Sequence, residues 1–174
     1  MTSSPCKQLR LVETVDRAIQ AVGRIVCWLY VALIAVIIVQ VVLRKGFSSG
    51  LIVFEELQWH LYAAAVMFGL AHAQTTNSHI RVDLLYSKFG ARTKGVIDTL
   101  GILFLALPFV AVIFIHSLDF VYDAWRIGEH SDSPSGLPYR WLIKGVIPAS
   151  MALLALALCN RIYRNLLTVF SRAR

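Results

Sequence analysis

The chain has 174 residues, 57% hydrophobic and 16% charged, with mean hydropathy +0.66 and net charge +7. A soluble domain of this length carries more charge, and the apolar residues come in long blocks, which is the membrane pattern. The basic residues flank those blocks and do not line one face, so they point to membrane orientation and not to nucleic acid.

Residues Met1 to Lys7 are polar and read as disordered. From Leu9 the pattern turns helical. Leu11, Val15, Ala18, Val22 and Ile25 share a face, while Arg10, Glu13, Arg17 and Arg24 take the others. Residues 9–24 therefore form an amphipathic lead-in, lying on the membrane surface or continuing into the first span. That span covers 25–43, about 28 Å of helix, close to the hydrocarbon thickness. It is too long and too far from Met1 for a signal peptide and has no small-x-small cleavage site, so it reads as a retained anchor. Gln40 is its one strongly polar interruption, and Arg44 and Lys45 stop it.

A short connection leads to Glu55 and Glu56, two acids that complement the dipole of the next helix. The second span, 57–75, is the most polar, with Gln58, His60 and His72. Trp59 and Tyr62 suit an interfacial aromatic belt. Ala65, Gly69 and Ala73 recur every fourth residue, and small residues at that spacing let membrane helices approach closely. This face is expected to meet another helix, either span one or a helix of a larger partner subunit. The span closes on His79-Ile80-Arg81-Val82-Asp83, and 79–94 reads as a segment lying in the interface.

The third span, 96–116, holds Gly101 and a kink site at Pro108. Residues 117–130 continue as an amphipathic helix. Ser131 to Pro138, SDSPSGLP, is a breaker-rich loop. The fourth span, 141–159, starts at Trp141. Lys144 is expected to snorkel to its near interface, and Pro148 falls in its early turns. A basic amphipathic tail follows. The fold class is thus an all-α integral membrane protein with four transmembrane helices and amphipathic interfacial helices, in a single membrane domain in contact with lipid.

Of 17 basic residues, twelve fall on one side: Lys7, Arg10, Arg17, Arg24, Arg81, Lys88, Arg92, Lys94, Arg161, Arg164, Arg172 and Arg174. The richer side is cytoplasmic, which puts both termini inside and SDSPSGLP outside. Arg44 and Glu55 then lie within reach at the outer interface. Glu55 is expected to pin spans one and two together, leaving Glu56 for a partner.

Catalytic and cofactor signatures are missing. There is no serine hydrolase, P-loop or metalloprotease motif, and no enzyme is expected. Cys6, Cys27 and Cys159 are scattered and imply neither a disulfide framework nor a metal site. His60 and His116 near the outer ends of their spans leave a four-helix haem protein as an alternative. A free-standing tetraspan scaffold is another. An independent carrier does not fit, because the span centres are almost purely aliphatic and no acid lies deep in them.

The layout resembles the small, Q-type (DctQ-like) membrane subunit of TRAP transporters, the tripartite ATP-independent periplasmic systems. The resemblance covers nearly the whole chain. It rests on Arg44 followed by Glu55-Glu56, on Gly69, on the 79–83 turn with His79, Arg81 and Asp83, and on Gly136-Leu137-Pro138 leading to Trp141. It implies a bacterial inner-membrane location and two partners, a separate large permease subunit and a periplasmic substrate-binding protein. It implies no cofactor. The small subunit would support the large one and help dock the binding protein during ion-coupled uptake of organic acids.

Overall fold

The computed structural model describes residues 5–47, 50–76, 90–133 and 135–171. Every regular element among them is helical. α1 spans Pro5–Gly46 and α2 spans Ile52–Thr75. α3, Ala91–Gly101, runs through a π-helical turn, Ile102–Ala106, into α4, Leu107–Arg126. α5 spans Arg140–Ser171.

α1 starts inside the polar stretch read as disordered, with Pro5 as its first residue, where a missing N–H is tolerated. The amphipathic lead-in and the first span form one unbroken helix. At Pro108 the rod formed by α3 and α4 does not break. The ring denies the carbonyl one turn earlier its usual donor. The preceding turn widens instead, and the Leu107 N–H donates to the Ile102 carbonyl five residues back.

Val12–Gly46, Thr93–Arg126 and Arg140–Leu167 are long and apolar enough to cross a membrane. This is an all-α membrane protein. α2 has the length, 24 residues, but not the apolarity. Gln58, His60, His72 and Gln74 lower its hydropathy. Only 11%, 6% and 22% of the most apolar windows of the other three are buried inside the chain. Most of their apolar surface therefore faces lipid or another protein.

α5 is the central element and contacts α1, α2 and the α3–α4 rod, while α1 packs on α2. One core cluster joins Ile19 of α1, Ala71 of α2 and Ala157 of α5. The other joins Val110 of α4 to Met151 and Leu158 of α5, with Met67 and Leu70 of α2 against them. The first depends on Gly23. A Cβ there would lie 2.8 Å from the His72 Cβ and closer still to its ring, so α1 and α2 cross where α1 has no side chain.

Polar ties fix both ends of this packing. Gln58 donates to the buried Gln40 across α1 and α2. At the end away from the 127–139 loop, Arg161 of α5 reaches Asp98 of α3 at 3.3 Å, both largely buried. Asn160 donates to Asp16 at 2.8 Å and to the Val12 carbonyl at 3.0 Å, and Arg164 meets Asp16 at 3.2 Å. The segment read as a basic amphipathic tail thus binds α1 and α3.

Candidate functional site

The two acids that open α2 sit at the loop end of the bundle. Neighbours on a helix point about 100° apart, so they serve different elements. Glu55 turns to α1, where its Oε1 lies 3.5 Å from the Arg44 Nη1. Both side chains are largely exposed, 68% and 49%. Such a pair contributes only about 0–1 kcal/mol.

Glu56 turns the other way, into the connection between α4 and α5. The Ser131 hydroxyl donates to its Oε1, and the Leu137 backbone N–H donates to its Oε2 at 2.6 Å. One carboxylate thereby clasps both arms of the loop. The approach needs Gly136, because a Cβ there would lie 2.8 Å from the Glu56 Oε1 and against Ser131. Glu56 lies just ahead of the expected span 57–75. The Ser131 hydroxyl and Leu137 N–H bonds hold its carboxyl below the ordinary value of 4.5, helped by the charges of Arg140 and His60 and opposed by desolvation.

The loop is built stiffly from its first residue. Gly128 has φ +59°, its N–H donates to the Trp125 carbonyl at 3.1 Å, and the Glu129 N–H donates to Ala124 at 2.9 Å. These two bonds and the left-handed glycine make a Schellman cap on α4. The Arg140 N–H then returns to the Glu129 carbonyl at 3.2 Å, closing the loop at its neck. The Glu129 carboxylate binds the Lys144 ammonium and faces Arg140 at 3.8 Å. Lys144 also sits 3.8 Å over the Phe120 ring. A partly buried carboxylate and an aromatic face thus meet its ammonium at the loop neck. Tyr139, at the neck, has φ +63°, a strained value for a bulky residue that the surrounding bonds over-determine.

The arrangement is a braced, largely exposed loop at one end of the helix bundle. No group of three or more His, Cys, Asp or Glu side chains suited to a metal occurs among the described residues. His60 Nδ1 faces the Glu56 carbonyl at 2.6 Å, and His116 is exposed.

The family model for the DctQ component of tripartite ATP-independent periplasmic transporters matches residues 33–168. The chain belongs to the DctQ family. No curated protein matches it. DctQ proteins are membrane components of multi-part transporters, which places this one among multi-pass proteins of the bacterial inner membrane working in a complex.

Within this DctQ chain the sequence-derived site residues fall apart into groups. Arg44 and Glu55 meet. Glu56, expected to be free for a partner, is spent on the chain's own loop. Trp141 is half-buried in the first turn of α5. Ala65 is fully buried, but a Cβ on Gly69 would meet nothing within 4 Å. The helix turns 100° per residue, so a spacing of four drifts about 40° each step, and the small-residue face rotates out of the bundle. His79, Arg81 and Asp83 lie outside the described residues.

Sequence reasoning missed Gly23, Ser131, Glu129 and the Asp98–Arg161 pair, and singled out Gly136 only as part of a family motif. Asp98 carried a signal. It is the acid that opens an otherwise apolar span, and such a charge needs a named partner.

Proposed function

We propose that this DctQ protein is the small accessory permease subunit of a TRAP-type secondary transporter. It supports a large permease subunit and offers part of the surface on which a periplasmic binding protein docks during ion-coupled uptake of organic acids. The match over residues 33–168 carries this reading. Two structural features support it. The apolar surface left open by the chain suits a larger membrane assembly. The loop clasped by Glu56 and Glu129 is a preformed surface whose ordering entropy is already spent before a partner arrives. Affinity capture from detergent-solubilised membranes tests the assembly. A tagged chain brings down a large permease, and capture of the chain alone contradicts the reading.

In this reading all four long segments cross the bilayer as a single domain, α2 included, because its polar side chains face protein. Both termini lie in the cytoplasm and the 127–139 loop in the periplasm, following the twelve-to-five split of basic residues. With Cys6, Cys27 and Cys159 replaced, an impermeant thiol reagent added to whole cells labels Ser135→Cys and spares Arg174→Cys. The opposite pattern inverts the topology.

A further inference from the structure

We infer that the outward ridge of α2 is the seat of a transmembrane helix from the partner permease. The inference rests on the function proposed above and says where on this chain that partner sits.

Glu55, Trp59, Tyr62 and Val66 are exposed, and Gly69 opens onto free space. Their spacing of three and four puts them on one side of α2. Two grooves flank the outer half of this ridge, and Trp59 borders both. The groove toward α1, about 360 Å³, is lined by Gln40, Arg44, Glu55 and Gln58 among aliphatic side chains. The groove toward α5, about 380 Å³, carries Glu56, His60 and Lys144 at its loop end and Met67 and Ile147 toward the other.

The remaining exposed surfaces have a different chemistry. α1 shows Ile34, Ile38 and Val42, and the α3–α4 rod shows Phe104, Leu105 and Phe109. Lipid tails suit such surfaces and offer no hydrogen bonds. The walls of the α2 grooves carry amide, imidazole and ammonium groups, and α2 is the long helix whose composition falls short of a lipid-facing span. Polar groups on a membrane-crossing helix face protein. A groove on either side of a ridge also accepts the ridges of a neighbouring helix, and the bare backbone at Gly69 lets it come close. The occupant is an apolar helix with a hydroxyl or amide side chain near its periplasmic end, where Gln58 and His60 lie.

Site-specific photocrosslinking in the assembled transporter tests this. Benzoylphenylalanine replaces Tyr62 or Val66 on the ridge, and Ile34 or Leu105 as controls on the aliphatic surfaces. Positions 62 and 66 yield an adduct with the large permease, and 34 and 105 do not. Adducts from 34 or 105 without any from 62 and 66 overturn the inference, as do lipid adducts alone from the ridge. In parallel, Gly69→Leu lowers permease capture about ten-fold or more while Gly69→Ala keeps it; unchanged capture with Gly69→Leu also overturns it. Wild-type capture separates the two levels. A captured permease with a silent ridge refutes this placement alone, whereas a chain captured alone refutes the parent function and the placement with it.

Discussion

Glu56→Ala is expected to cut uptake about ten-fold or more while the chain still inserts and captures its permease. The Leu137 N–H and Ser131 hydroxyl lose their acceptor together. The 131–137 arm then detaches from α2, while the neck at Glu129 and Arg140 still holds. Glu56→Gln keeps one carbonyl acceptor and restores part of the activity. The pH dependence has a definite sign. A carboxyl held below its ordinary 4.5 keeps the clasp charged throughout the neutral range. The stabilisation is lost only as pH falls through the lowered folded value, so uptake by wild type stays insensitive to Glu56 between pH 6 and 8. The measurement is initial uptake rate against binding-protein concentration. A damaged dock raises the concentration needed for half-maximal rate; a purely structural defect lowers capture instead.

The second large effect is at Gly23. In an ordinary helix interior, Gly→Ala stabilises by about 0.5–1 kcal/mol. Here the sign reverses, because the new Cβ would collide with the His72 Cβ and ring. Gly23→Ala destabilises, and Gly23→Leu forces α1 off α2, opening the cluster of Ile19, Ala71 and Ala157 at a cost of about 3 kcal/mol or more. Thermal unfolding in detergent reads this directly. Gly69→Ala serves as the control, since its Cβ enters open space and follows the ordinary sign.

These two positions also show what the sequence makes legible. Apolar blocks and their basic flanks locate the long helices, because bilayer thickness and the positive-inside rule act on composition alone. The Arg44–Glu55 contact was readable for the same reason, as two opposite charges at the ends of adjacent spans. Gly69 drew attention through its spacing with Ala65 and Ala73, yet Gly23 makes the close approach. Gly23 sits alone among polar and apolar neighbours, and only the crossing point of α1 and α2 gives it a role. Glu56 was assigned to a partner because the partner it has is a backbone N–H 81 positions later. Such a contact depends on how α4 and α5 return to α2, and periodicity does not encode that. The Lys144–Glu129 contact is hidden for a related reason, since it forms only once the loop neck has folded.

Uptake by reconstituted vesicles tests the central claim most directly. Proteoliposomes holding the large permease, with the binding protein outside and an imposed ion gradient, are assayed for accumulation of a labelled organic acid with and without this chain. The account predicts gradient-driven accumulation only when the chain is present. Equal accumulation in its absence would contradict it.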